Sequence, residues 1–115
     1  MSEWPEDVDP AVVDTLFELL SDRYRRWICL YLQSSDRAVV TYDRLLDELS
    51  PRAGEPVDRD RLRVRLRHVH LPKLAEIGVV AHDERRHAVR VADPSLLECC
   101  VAVQNVVEDC ESTER

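Results

Sequence analysis

The feature that most constrains the fold of this chain is a change of hydrophobic period at Gly78. Upstream of this glycine, apolar residues recur at helical spacing. Downstream, the valine-containing runs 79–82 and 87–91 flank the polar turn 83–86, a pattern that predicts a β-hairpin. Glycine also suits the C-terminus of a helix. The chain is therefore expected to pass from a helix directly into a hairpin.

Helical segments that begin at capping residues surround this junction. In each segment apolar residues form a stripe, and a side-chain oxygen just before it can accept from the first free N–H groups. A short strand is predicted at Val39-Val40, and a last helix opens at Asp93-Pro94-Ser95. The candidate caps of the four earlier helices are Asp9 or Asp14, Ser21 or Asp22, Thr41, and Asp58.

The fourth helical segment, residues 58–77, carries two conflicting patterns. Its stretch Arg61-Leu-Arg-Val-Arg-Leu-Arg67 alternates with period two, as a strand does. We favour a helix, because no partner strand with a turn lies beside it and 71–77 continues a helical pattern. This helix would be apolar on two sides, with Val64 on the second, and Pro72 should kink it.

The predicted order is helix, helix, short strand, helix, helix, hairpin, helix. This order is typical of a winged helix-turn-helix, so we expect a mainly α fold with a small β-hairpin and an extra C-terminal helix. The predicted organisation is a flexible acidic N-terminus at 1–9, the winged helix-turn-helix domain at 10–92, a C-terminal helix at 93–109 and a flexible tail at 110–115.

The charge composition is acidic and almost free of lysine. The 115 residues include 23 acidic and 16 basic ones, a net charge of −7, and Lys73 is the only lysine. Such a surface suits a cytoplasm at molar salt, so we expect a halophilic archaeal protein; an acidic mesophilic protein from a GC-rich genome is the alternative.

We see neither a signal peptide nor a membrane-spanning run, and expect a cytoplasmic protein without a membrane partner.

Two stretches resemble a known family. They are Leu16-Phe-Glu-Leu-Leu-Ser-Asp-Arg-Tyr-Arg-Arg-Trp-Ile-Cys-Leu-Tyr-Leu32 and His68-Val-His-Leu-Pro-Lys-Leu-Ala-Glu-Ile-Gly-Val-Val80. Residues 15–92 as a whole resemble an uncharacterised winged-helix domain common in haloarchaeal proteins, itself similar to the arsenic-repressor-type regulators. The resemblance implies a winged-helix fold. DNA binding is the expected function, and binding of another protein is the alternative, because winged helices serve both purposes.

The positive charge of the chain is concentrated in one segment. Residues 52–73 contain seven basic and three acidic side chains, a net +4, which leaves −11 on the rest of a chain whose total is −7. A basic stripe on the expected recognition helix predicts contact with double-stranded DNA. Helical geometry divides the arginines into two rows, 61/65/68 and 59/63/67/70, of which we favour the first for base contacts. The candidate DNA-binding residues are Arg59, Arg61, Arg63, Arg65, Arg67, His68, Lys73, and, at the hairpin tip, Arg85 and Arg86.

Other function classes receive less support from the sequence. Two glycines cannot build a phosphate-binding loop, and nothing places a nucleophile beside a base, so we expect no enzyme and no cofactor. Cys99, Cys100 and Cys110 invite a thiol or metal sensor, but their spacing does not match a metal site. The apolar stripe of the last helix (Leu96, Leu97, Cys100, Val103 and Val107) favours a homodimer; folding back onto its own core is the alternative.

Overall fold

The computed structural model describes residues 9–113, with side chains described for 9–105. Most of the predicted flexible N-terminus (1–8) and the end of the predicted tail (114–115) lie outside the described residues. The helices are α1 (Pro10–Leu19), α2 (Arg23–Ser34), α3 (Tyr42–Leu49), α4 (Arg59–Arg65), α5 (Leu71–Glu76) and α6 (Pro94–Thr113). The strands are β1 (Val40–Thr41), β2 (Val80–Asp83) and β3 (Ala88–Val91), and a 3-10 turn occupies Pro51–Ala53.

The capping residues determine where the helices begin. Asp9 accepts from the Ala11 N–H at 2.9 Å and Asp22 from the Tyr24 N–H at 2.8 Å, so Asp14 and Ser21 are not the caps. Thr41 caps α3 and Asp58 caps α4 in the same way, as predicted. Each oxygen satisfies one of the N–H groups that the first helical turn leaves without a backbone partner.

The basic segment is helical, and the strand alternative is excluded. Between α4 and α5 the helix passes through a π-helical turn, Leu66–His70, in which the Leu71 N–H bonds to the Leu66 carbonyl. Pro72 lies at the start of α5, so the interruption predicted at this proline is a widened turn just ahead of it. The helix ends at Gly78 (φ +88°), where the Val79 N–H donates to the Leu74 carbonyl. This bond and the one from the Gly78 N–H to the Ala75 carbonyl form a C-terminal cap of the Schellman type.

The predicted hairpin is part of a three-stranded antiparallel sheet in the order β1-β3-β2. Strand β2 pairs with β3 from Val80↔Val91 to Asp83↔Ala88, and β1 pairs with the other edge of β3 through Val40↔Val89. The Tyr42 N–H continues this contact by donating to the His87 carbonyl at 2.9 Å. The sheet thereby ties the hairpin to the start of α3.

The hydrophobic core lies between the helices and one face of the sheet, and α6 packs on α2. Leu97, Cys100 and Val103 of α6 are buried in this core, so up to that point the stripe expected at a dimer interface is covered by its own chain. Val107 lies outside the residues whose side chains are described. The helix continues to Thr113, beyond the boundary predicted at 109. The molecule is mainly helical with a small sheet and a C-terminal helix, a winged-helix-like arrangement.

Candidate nucleic-acid interface

The two arginine rows of the basic helix have different surroundings. Each arginine of the 59/63/67 row faces a carboxylate from another element. Arg59 pairs with Asp47 at 3.0 Å and Arg63 with Asp43, both acids on α3. Arg67 pairs at 3.9 Å with Glu84, which lies in the turn between β2 and β3. The Arg63 contact lowers the pKa of the Asp43 carboxyl through a hydrogen bond and charge attraction.

The 61/65/68 row has no such partners. The side chains of Arg61, Arg65 and His68 are all exposed. None of the three forms an ion pair with an acid among residues 9–105. Lys73, one helical segment further on, is also exposed and lacks an acidic partner in the same range. Guanidinium groups that are solvated and unpaired keep their N–H donors available for an external acceptor.

The hairpin tip presents two more arginines with different environments. Arg86 lies 3.8 Å from Asp83 across the turn, and its backbone N–H donates to the same carboxylate at 3.1 Å. Arg85 is exposed and has no carboxylate partner in the described part of the chain. His87 closes the turn in the left-handed region, with φ +51°. At the tip, therefore, Arg86 is paired within the turn, and Arg85 is available for an external partner.

An aromatic cluster joins the hairpin to α3. The buried Tyr42 hydroxyl shares a hydrogen bond with His82 Nε2, and the His87 ring stacks on Tyr42 at 5.1 Å between centroids. Burial raises the pKa of Tyr42 and lowers that of His82, so both side chains favour their neutral forms. Sequence reasoning missed this cluster because its members come from three separate elements. The cluster therefore holds the hairpin against the start of α3.

A second pair that the sequence analysis missed lies behind the basic helix. His70 is fully buried, and its Nδ1 accepts from Arg25 Nη1 at 3.2 Å. Arg25 is itself buried, and its Nε donates to the Leu19 carbonyl. Burial, reinforced by the charges of Arg25, Arg65 and Lys73 and opposed by Asp22, lowers the pKa of His70 to about 4. His70 is therefore a neutral core residue, whereas His68 faces solvent.

The exposure of Val64 on this helix differs from the expectation. The helical pattern predicts that Val64 lies on a second apolar face, yet the residue is 57% exposed. Leu62 and Leu66, on either side of it in the sequence, are buried. On a helix, a residue two positions away points to a very different side, so this exposure follows directly from the burial of the two leucines.

A family model for a domain of unknown function, DUF7344, matches residues 17–90. The chain belongs to the DUF7344 family. The match extends from α1 to β3, so both arginine rows and the hairpin tip lie inside the DUF7344 domain and α6 lies outside it. No curated protein and no solved structure matches the chain.

The cysteines of this DUF7344 protein lie apart from the basic helix. Cys29 and Cys100 are buried side by side, and their mutual hydrogen bond together with burial raises the pKa of the Cys29 thiol. Cys99 is half-buried. Within the described residues no three His, Cys, Asp or Glu side chains are grouped as a metal site would need, and the Cys110 side chain lies outside them. None of the helices searched there is long and apolar enough to cross a membrane.

Proposed function

We propose that this DUF7344 protein binds double-stranded DNA as a transcriptional regulator, with α4 in the major groove and the hairpin tip against the backbone. The observation that carries the proposal is the division between the arginine rows. One row is neutralised by carboxylates of α3 and the hairpin, and the other, Arg61, Arg65 and His68, is exposed without acidic partners. Arginine is the side chain best suited to bond both guanine edges and phosphates.

The two rows have complementary roles in this proposal. The ion pairs of Arg59 and Arg63 attach α4 to α3, and the Arg67 pair attaches the helix to the hairpin. The free row then faces the DNA with a defined geometry, and Lys73 and Arg85 contact phosphates, which position a protein without specifying sequence. The acidic remainder of the chain is repelled by phosphates, so it orients the molecule with its basic helix toward the duplex.

Two further considerations support the proposal. The element order is winged-helix-like, and the chain resembles haloarchaeal winged-helix domains that are similar to arsenic-repressor-type regulators. The lysine-poor, acidic composition matches a cytoplasm at molar salt, where phosphate repulsion of the acidic body is screened. Binding is therefore expected to persist at high potassium chloride.

Removal of the free row provides the direct test. We expect fluorescence anisotropy to show saturable binding to duplexes selected from a randomised pool, measured in potassium chloride from 0.1 M to molar levels. Arg61→Gln/Arg65→Gln is expected to weaken this binding at least tenfold, because one bidentate arginine–guanine contact contributes about 1–3 kcal/mol.

A matched control separates this contact from a general charge effect. Arg37→Gln/Arg90→Gln also removes two positive charges, but from exposed positions outside α4. Its DNA affinity is expected to fall by no more than about threefold. Equal losses in the two double variants would contradict base contact by the free row. Absence of saturable binding by the folded wild-type protein at every salt concentration would rule out the proposal.

A second candidate function, a protein-interaction module, has one specific observation in its favour. Val12 on α1 is 40% exposed and, with Ile77 and Leu96, lines a groove of about 280 Å³. This apolar surface is on a different element from the basic helix. Under this candidate Val12→Ser abolishes association with a partner or a second copy, detected by light scattering, and Arg61→Gln/Arg65→Gln has no effect on it.

A further inference from the structure

We infer that Val64 contacts the 5-methyl group of a thymine in the major groove, and so contributes to the sequence specificity of the DNA binding proposed above, on which this inference rests. Val64 is the most exposed large hydrophobic side chain among the described residues. It lies on α4, the helix that carries Arg61 and Arg65. An apolar side chain at that position matches an apolar group on the partner.

The fold leaves more than half of Val64 exposed to solvent. Leu62 and Leu66 occupy the core side of the helix, so the residue between them points away from the core. The ion pairs Arg59–Asp47 and Arg63–Asp43 hold that helix against α3. Valine is stiff at χ1 in a helix, so its two methyl groups are presented in one orientation. The exposed surface is therefore small, apolar and pre-organised.

Its neighbours on the exposed face define the kind of base step that fits. Arg61 precedes Val64 by three positions and His68 follows by four, the spacings at which helical side chains are adjacent. Both neighbours are exposed and have no acidic partner among residues 9–105. In the major groove, guanine offers two acceptors for such donors, and the 5-methyl of thymine is the apolar group of the base edges. The surface therefore fits a thymine adjacent to a guanine.

The test removes the methyl groups from the DNA and from the protein separately. The probe is the duplex selected by the wild-type protein, with each thymine replaced in turn by deoxyuridine, which lacks only the 5-methyl. One such replacement is expected to weaken wild-type binding about fourfold, equivalent to about 0.8 kcal/mol for a buried methyl-sized group. Val64→Ala is expected to bind the parent duplex about fourfold more weakly and to be insensitive to that same replacement.

The controls make the possible outcomes distinct. Val12→Ala, an equivalent truncation at an exposed position of α1, should keep wild-type affinity and wild-type sensitivity to deoxyuridine. If the wild-type protein binds its selected duplex but no deoxyuridine replacement weakens it twofold, or if Val64→Ala remains as sensitive as wild type, the inference is overturned and the proposed function stands. A selected duplex that contains no thymine would likewise overturn the inference and leave the proposed function standing. If the folded wild-type protein selects no duplex, both fail, and the exposed valine belongs to a protein-binding surface.

Discussion

At the scale of single residues, the Arg25–His70 pair shows how a charged side chain is accommodated in a small core. Arg25 is accommodated there because its donors find acceptors, Nε at the Leu19 carbonyl and Nη1 at His70 Nδ1. This arrangement fixes the histidine as the neutral tautomer with hydrogen on Nε2, and no partner for that nitrogen is present in the described part of the chain. Protonating His70 would destroy its acceptor and place two positive charges side by side.

The His70 environment predicts a pH-dependent stability. Its pKa is about 4 in the folded protein against 6.5 for an ordinary histidine, so between these values the unfolded chain binds the proton more readily. The free energy of unfolding should therefore fall as pH decreases from about 6.5 to about 4, by on the order of 3 kcal/mol from this group. Urea denaturation at several pH values measures this slope.

A substitution identifies the contribution of His70 within the total slope. His70→Gln supplies a side-chain oxygen that can accept from Arg25 and does not titrate in this range. Its unfolding free energy should decline less steeply than that of the wild type over the same interval. Because burial also lowers the pKa of His82, some slope will remain in the variant. Identical slopes in the two proteins would show that His70 does not carry the effect.

At the scale of elements, the basic helix illustrates how tertiary packing selects between two local patterns. In a strand, Leu62, Val64 and Leu66 would share one face, since alternate residues point the same way. In the structure the two leucines are buried and the valine is exposed, which only a helix allows. Both edges of β3 are occupied, one by β2 and the other by β1, so neither is available to such a strand.

The end of the same element depends on one glycine. Gly78 has φ +88°, a conformation that costs an L-residue roughly 1–2 kcal/mol. Gly78→Ala should therefore lower the free energy of unfolding by about 1 kcal/mol, although the added methyl meets no atom within 4 Å. Gly78→Asn should lose less, because asparagine tolerates the left-handed region better. Equal losses for alanine and asparagine in thermal denaturation would contradict backbone strain as the cause.

At the scale of the whole molecule, charge distribution is the dominant property. The chain carries −7 overall, and this repulsion opposes the compact state at low ionic strength. Raising potassium chloride from 0.1 M to 2 M should screen it and raise the Tm by several degrees, the shift expected for about 1 kcal/mol in a domain of this size. Near the isoelectric point, about pH 5.0, the salt increment should shrink. If the rise in Tm on adding salt is the same at pH 5.0, the stabilisation comes from non-electrostatic effects of the salt.

The local chemistry of the sequence was sufficient to predict most elements of this fold. Caps at Thr41 and Asp58, the helical spacing of the leucines and the glycine at position 78 act over a few neighbouring residues, so they are visible in the order of the amino acids. The hairpin and the C-terminal helix follow from the same short-range signals. Sequence also identified the basic helix as the candidate site.

Tertiary structure decided which residues of that site remain available. Arg63 meets Asp43 from 20 positions away, His82 meets Tyr42 across 40 positions, and His70 meets Arg25 across 45. The addition of β1 to the sheet and the burial of the α6 stripe are likewise contacts between distant segments. Such pairings depend on how the elements pack in three dimensions, which no local pattern encodes. For this reason the sequence located the positive charge, and only the fold separated its paired arginines from its free ones.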